Sequence, residues 1–527
     1  MKKFNVTGAC YQDKHYMVDI SERLCQIQKM VEDGCYFTIN RGRQYGKTTT
    51  LSLLKSKLEN EYTVFSISFE GLGEEQFQSS MQFVQTFLGL LQDTIDYGET
   101  KADEEVRNYL NEITKQQAGD FRELGNMISK LCHMSDKPMV LLIDEVDQAG
   151  NYKSFVDFLG LLRAKFMTRN TRPTFQSVIL AGVYDITNLR LKIRGEKEHQ
   201  YNSPWNIATA FTLPMDFDVD GIATMLHDYE EEHHMGMDVV SVAQMIYDYT
   251  SGYPYMVSRI CQLIDEVILG KEANYNIVGA WSIAGVKEAV KLLLAESNTL
   301  FDDMRKKLHD FPELRNMLYE MLYNGKSYPY NQYQYAVDIA EMFGYVGNEN
   351  GKVRISNRVF EIWLYNLFVS DERVSSAIYT AAVNEKNQFI ENGQLNVKRI
   401  LERFVVHFTD LYGDNDDAFL ESVGRKYFLF YIKPIINGVG NYYVEAQTRD
   451  ERRTDVIIDY LGTQYVIEMK IWHGEEYNRR GEQQVMDYLE AYHLDKGYML
   501  SFNFNKNKEI GVKELKFDNK VIVEAVV

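Results

Sequence analysis

This 527-residue chain has few cysteines, few prolines and no long apolar run, and each shortage excludes something. Its five cysteines (Cys10, Cys25, Cys35, Cys132 and Cys261) form no CxxC pair, and none lies beyond residue 261. An odd, scattered set reads as reduced thiols, which argues against a disulfide framework or a cysteine zinc site and points to the cytoplasm. No run of about 18 uninterrupted apolar residues occurs, so neither a membrane span nor a membrane partner is expected. Met1-Lys2-Lys3-Phe4-Asn5-Val6 has no apolar run behind its lysines and does not read as a secretory signal. The eight prolines and 34 glycines are nowhere concentrated, and there is no low-complexity tract or fixed-period repeat. His407, His473 and His493 lack metal-ligand spacing and read as solvent-facing. Gly-x-Ser-x-Gly and Cys/His arrangements for nucleophilic catalysis are missing as well.

Basic bias is also lacking. The net charge is −19, and from Glu385 onward 19 basic side chains face 24 acidic ones. Contact with nucleic acid would therefore need a local cluster, for which Arg449, Arg452, Arg453, Arg479 and Arg480 are the candidates. The 45% hydrophobic and 25% charged content is that of a soluble globular protein long enough for three or four domains.

The first part of the chain alternates apolar strands with amphipathic helices, the sign of a mostly parallel sheet in an α/β fold. Strands are expected at Cys35–Ile39, Thr63–Phe69, Pro138–Ile143 and Ser177–Val183, with helical patterns near 74–95, 102–133 and 152–169. The third strand is apolar throughout, hence buried on both faces. Beyond Met215 helical segments dominate, one running from Val240 to Tyr249 and ending at Ser251-Gly252-Tyr253-Pro254. From about Leu300 to Phe368 the pattern reads as three helices, a small hairpin over Gly344–Ile355 and a final helix, suggesting a winged helix. The aromatic run Tyr328–Tyr335 within it reads as packing, with base stacking as the alternative. A helix is expected near 396–433. Beyond it, Thr454–Tyr460 and Gln464–Lys470 flank Leu461-Gly462-Thr463 as a hairpin.

Two constellations carry chemistry. Arg41-Gly42-Arg43-Gln44-Tyr45-Gly46-Lys47-Thr48 follows the first strand and opens a helical run starting at Thr49, the strand–loop–helix context of a Walker A motif. Backbone amides from Gly42 through Thr49, Arg43 and Gly46 included, would cradle phosphates at the helix N-terminus. Lys47 would reach the β- and γ-phosphates of ATP, and the Thr48 hydroxyl would ligate Mg²⁺. The first Gly of the motif is replaced by Arg41. The third strand ends in Asp144-Glu145, the form of a Walker B site, with Asp144 holding Mg²⁺ and Glu145 polarising a water. A charged strand end capping a helix, with Asp147 beside it, is the competing reading.

These residues resemble the AAA-ATPase-like proteins of bacteria and archaea. Tyr16-Met17-Val18-Asp19, the Arg41–Lys47 loop, Ile143-Asp144-Glu145, Ser203-Pro204-Trp205-Asn206 and Gly252-Tyr253-Pro254 carry the resemblance over most of residues 1–260. It implies an AAA+-like core with a helical lid, in which a C-terminal nuclease is a frequent companion. Tyr184-Asp185 falls where such proteins place a γ-phosphate sensor, and Arg190, Arg194 and Arg259 are arginine-finger candidates.

The second constellation is Asp455 on one hairpin strand and Glu468-Met469-Lys470 on the next. Glu468 and Lys470 are two apart on a strand and so face one side. With Asp455 alongside, two carboxylates and the Met469 carbonyl would make an oxygen site for Mg²⁺ or Mn²⁺, while Lys470 positions the attacking water. Glu421 lies on the preceding helix, and Gln484 and Tyr488 sit four apart on a later one. Together these resemble the PD-(D/E)XK nuclease superfamily, with Thr454 at the position of the name-giving Pro.

The expected division is a P-loop core over 1–215, a helical lid over 216–295, a winged-helix-like segment over 296–380 and an α/β restriction-endonuclease-like domain over 381–527. The implied function is an ATP-binding, metal-dependent nuclease acting on DNA, in defence or mobile-element processes. The alternative is a nucleotide-switched interaction protein with a non-cleaving nuclease fold. Whether it forms an oligomer is left open.

Overall fold

The computed structural model describes residues 2–116, 119–183, 205–269, 277–323, 326–372, 377–412, 421–436, 440–447, 453–461, 463–471, 475–491, 494–503, 509–517 and 519–527. The chain forms two compact units: Met1–Ala289 with Asp338–Tyr345, and Val290–Val337 with Val346–Val527.

In the first unit, β1 (Tyr36–Asn40), β2 (Thr63–Ser68), β3 (Met139–Asp144) and β4 (Ser177–Gly182) form a parallel sheet in the order β1-β4-β3-β2. Thr209 bridges Phe37 in parallel on the free side of β1. All four strands lie where the apolar runs predict them, and β3 and β4 are buried along their whole length. The core between the sheet and the helices Ser80–Asp96, Phe121–Met134 and Lys153–Met167 is rich in aromatic residues, with Phe83, Phe87 and Phe158 in ring contact. Burying one such ring contributes about 1.5–3 kcal/mol.

Two of the long helical patterns are broken by caps. The stretch near 74–95 is a short 3₁₀ turn, Glu74–Phe77, followed by a helix that Ser79 starts by accepting from the Gln82 amide. The stretch near 102–133 is two helices, Glu104–Lys115 and Phe121–Met134. Asp120 restarts the second by accepting from the amides of Arg122 and Glu123. The helices Val219–His233, Val239–Thr250 and Pro254–Gln262 follow in the same unit.

The second unit begins at Val290, inside the helix Ile283–Ala295, and continues with the helices Thr299–Asp310 and Pro312–Tyr323. Beyond the helix Tyr335–Met342, which from Asp338 on belongs to the first unit, come the antiparallel hairpin β5 (Val346–Glu349) and β6 (Lys352–Ile355) and the helix Arg358–Glu372. The tyrosine run is not packed inside: Tyr333 is 99% exposed and Tyr335 is exposed too. A small pair, β7 (Ile390–Glu391) and β8 (Gln394–Leu395), leads to a six-stranded sheet. Its strands are β9 (Gly440–Gln447), β10 (Arg453–Tyr460), β11 (Thr463–Ile471), β12 (Lys496–Phe502), β13 (Gly511–Phe517) and β14 (Lys520–Val526), in the order β13-β14-β12-β11-β10-β9. β11, β12 and β14 run parallel, and the other pairings are antiparallel.

The helix Glu475–Ala491 covers one face of this sheet, where Val485 and Leu489 pack on Met499 and Ile522. On the other face Phe408 and Gly424 pack against Phe502. The helix expected near 396–433 is two, Val397–Tyr412 and Glu421–Ile436. His407 is not solvent-facing. It lies 3.1 Å from Glu385, which also accepts from Arg403 and from the Tyr431 hydroxyl, so the imidazole belongs to a polar network joining three helices. No helix among the described residues is long and apolar enough to cross a membrane.

Candidate functional site

The Gly-Lys-Thr loop leaves the C-terminal end of β1 and enters the helix Lys47–Leu58, which is anchored by buried Leu51, Leu54 and Leu58. Gly46 takes φ 73° at the helix N-terminus, a left-handed conformation that costs glycine nothing. Gln44 takes φ 60° in the same loop. Lys47 is buried, and its ammonium donates to the carbonyls of Arg41 at 3.0 Å and Gly42 at 2.9 Å. Burial lowers its pKa, while the carboxylates of Glu145, Asp147 and Asp144 hold the charge in place.

β3 delivers the acids to the same mouth of the sheet. The Thr48 hydroxyl donates to Asp144 at 2.6 Å, so the two side chains expected to share a cation are already adjacent. Glu145 follows in a left-handed conformation at φ 51°, which costs a non-glycine residue of order 1–3 kcal/mol. Burial first, and then the neighbouring Asp144 charge, raise the Glu145 pKa above the ordinary carboxylate range. Asp147 accepts from the Val183 amide at the end of β4. The Thr49 hydroxyl accepts from the Cys10 amide at 3.1 Å, which ties the N-terminal segment to the first turn of the loop's helix.

Arg41, the departure from the motif, points out of the loop. Its guanidinium donates to Asn40 O at 2.8 Å and Leu213 O at 3.0 Å and lies over Phe211. It also faces Asp216, which shares a hydrogen bond with Tyr45 and whose pKa burial raises. Tyr45 is itself buried against Tyr253, with ring centroids 4.3 Å apart, and the Tyr253 hydroxyl donates to Arg43 O at 2.6 Å. Sequence reasoning missed this clasp. Only the Gly252-Tyr253-Pro254 motif marked one of its members, and nothing local signals what Tyr45 touches.

The second set of residues gathers on the sheet face under the helix Glu475–Ala491. Glu468 and Lys470 are both buried on β11, 3.7 Å apart, and Lys470 donates to Gln484 Oε1. A Cβ on Gly481 would come within 3.0 Å of the Lys470 side chain, so the helix crosses close over that stem. Gln484 reaches Lys470 from the helix, whereas Tyr488 turns into the core at 2% exposure. β10 pairs with β11 from Val456↔Ile467 to Tyr460↔Thr463. That pairing ends one residue short of Asp455 and Glu468. The side chains of Asp455 and of Glu421, first residue of its helix, lie outside the described residues. So do Tyr184, Asp185, Arg190, Arg194, Ser203, Pro204, Arg449, Arg452, His473 and His493. Arg259 pairs with Gln262 on its own helix. Among the described residues no cluster of three or more His, Cys, Asp or Glu side chains is placed to hold a metal.

A parallel sheet bearing a Gly-Lys-Thr loop on β1 and Asp-Glu on β3 is a P-loop ATPase-like core. Residues 7–268 match the family described as "AAA-like domain", and this stretch of the chain is such a domain. Similar solved structures include the Walker-type ATPase of Pyrococcus abyssi, at 13% identity and TM-score 0.46 over 68% of this chain and 99% of that one. The RuvB Holliday junction branch migration motor of Thermotoga maritima shares 12% identity at TM-score 0.32, over 67% of this chain and 95% of that one. The Orc1 protein of Aeropyrum pernix, solved in complex with DNA, shares 11% at TM-score 0.30, over 67% and 94%. No curated protein matches the chain.

Proposed function

We propose that the chain binds and hydrolyses ATP at the P-loop and that its C-terminal sheet is a metal-dependent nuclease site acting on DNA. The ATP part rests on one observation above others, the 2.6 Å contact between Thr48 and Asp144. A hydroxyl and a carboxylate this close, beside a lysine at a helix N-terminus, suit a Mg²⁺-bound triphosphate. Mg²⁺ would supply charge neutralisation at the β- and γ-phosphates. The chain's own residues do the rest: Lys47 holds the phosphates, the amides of Gly46 to Thr49 orient them, and Glu145 takes the proton from the attacking water.

The nuclease part rests on the pairing of β10 with β11. Continued one residue beyond Val456↔Ile467, it would bring Asp455 opposite Glu468, two residues from a lysine that Gln484 holds in position. The donor set, two carboxylates and a backbone carbonyl, suits Mg²⁺ or Mn²⁺, which would activate water and neutralise phosphate charge. Lys470 would orient the water. The three helices, hairpin and final helix over 299–372 are read as a winged helix in the same scheme.

The test is cleavage of single- and double-stranded DNA and RNA by the full chain with Mg²⁺ or Mn²⁺, with and without ATP. Wild type is expected to cut DNA and Lys470→Ala to be inactive. Absence of cutting by wild type in every condition refutes the nuclease reading. It leaves the alternative, a nucleotide-switched interaction protein, to be judged by ATP binding alone.

A further inference from the structure

The segment Asp338–Tyr345 packs with the first compact unit, although the chain on both sides of it belongs to the second. It ends in a tight corner. After the helix Tyr335–Met342 the Gly344 amide returns to Glu341 O and the Tyr345 amide to Ala340 O, both at 2.8 Å. Gly344 takes φ 75°, the left-handed turn of a helix C-cap.

That corner lies on the phosphate loop. A Cβ on Gly42 would sit 2.6 Å from the Phe343 carbonyl oxygen, so the two backbones touch with no room for a side chain. A Cβ on Gly344 would sit 2.9 Å from the Tyr45 ring. Gly42 and Tyr45 thus rest against the corner, while Tyr253 holds Arg43 and packs on Tyr45. Beneath them Lys47 donates to the carbonyls of Arg41 and Gly42.

A loop that takes a phosphate must present N–H groups and a free ammonium. Here the lysine is engaged with the loop's own carbonyls, and a further carbonyl, that of Phe343, is pressed against Gly42. A triphosphate drawing Lys47 onto its oxygens would release Arg41 O and Gly42 O. The Gly42 peptide would then reorient against a neighbour that has no slack. Seating of the corner and filling of the loop therefore oppose each other.

We propose that the Phe343–Gly344 corner is an autoinhibitory strap on the phosphate loop, loosened when ATP binds, and that seating it weakens ATP binding in return. This rests on the reading of the loop as an ATP site. Through it nucleotide occupancy would be reported to the chain that continues into β5 and β6.

The test is hydrogen exchange of the full chain with and without a non-hydrolysable ATP analogue and Mg²⁺, with analogue binding measured calorimetrically on the same sample. The Gly344 and Tyr345 amides are expected to exchange at least about 5-fold faster when the analogue is bound, while β6 is unchanged. Gly344→Ala, which drives a methyl group into Tyr45, is expected to tighten analogue binding by about 5-fold or more. Gly347→Ala, with nothing within 4 Å of its added carbon, is expected to bind as wild type. Analogue binding with unchanged exchange at 344–345 overturns the strap and leaves the ATP site standing. No binding by wild type overturns both.

Discussion

The Thr48 hydroxyl and the Asp144 carboxylate, 96 residues apart in sequence, meet at 2.6 Å between the ends of β1 and β3. Neither strand alone defines a site. Parallel packing brings a loop that favours anions beside a carboxylate that favours a cation, and a metal-bound triphosphate satisfies both. Asp144→Asn keeps the size and the hydrogen bond but removes the charge. It is expected to leave the thermal transition unchanged and to lower Mg²⁺-dependent ATP hydrolysis by about 10–100-fold. Phosphate release measured across a Mg²⁺ titration checks this, and a variant with wild-type rate and Mg²⁺ dependence removes Asp144 from the site.

Glu145 follows with a raised pKa, caused first by burial and second by Asp144. A general base must be ionised to act, so hydrolysis falls as pH drops through its pKa. Because that pKa is raised, the fall begins above the ordinary glutamate value of about 4.3. Glu145→Gln is expected to lose about 10²–10⁴-fold in hydrolysis at pH 7 while binding ATP normally. A wild-type rate that stays flat down to about pH 4.5 contradicts the role.

Lys470 depends on the helix above it. A Cβ on Gly481 would crowd its stem at 3.0 Å, and Gln484 Oε1 accepts a hydrogen bond from its ammonium. Gly481→Val would press on that stem and Gln484→Ala would release the ammonium, so each is expected to lower DNA cleavage by at least about 10-fold with the fold retained. Gln483→Ala removes an exposed side chain that pairs with Asp487, and serves as the unaffected comparison. Equal cleavage by all three variants would take Lys470's placement out of the mechanism.

The parts of the fold legible in the sequence are those written in local periodicity. The four apolar strands of the first sheet, the hairpin at Leu461 and the helix Val239–Thr250 each satisfy a pattern their own residues set. Caps cut two long helical patterns because Ser79 and Asp120 supply acceptors for exposed amides, a single-residue effect that periodicity averages away. Lys47, Thr48 and Asp144 were legible because a phosphate loop needs fixed spacing, and the two-residue spacing of Glu468 and Lys470 on a strand foretold their shared face. Arg41 was legible only as an irregularity. Its reason lies in Leu213 O and Asp216, and no local pattern encodes a contact over that separation. His407 and Tyr333 were misjudged for the same cause, one drawn inward by Glu385 and the other left exposed by the turn before its helix.

The Glu385 network makes a prediction about acid stability. Hydrogen bonds from Arg403 first, and then from His407, hold the Glu385 carboxyl down at about 2 against the cost of its burial. A folded pKa below the unfolded value of about 4.3 means stabilisation that is fully present above that value and lost as pH falls toward 2. Glu385→Gln keeps the shape but gives up the charge that Arg403 and His407 face. At pH 7 the variant is expected to unfold about 2–4 °C below wild type in the transition of the second unit. Near pH 2.5 the difference should shrink, because the unfolded chain's carboxyl is then protonated and folding must expel that proton. Calorimetry at the two pH values decides it. An equal difference at both would assign the effect to packing of the three helices and not to the carboxylate charge.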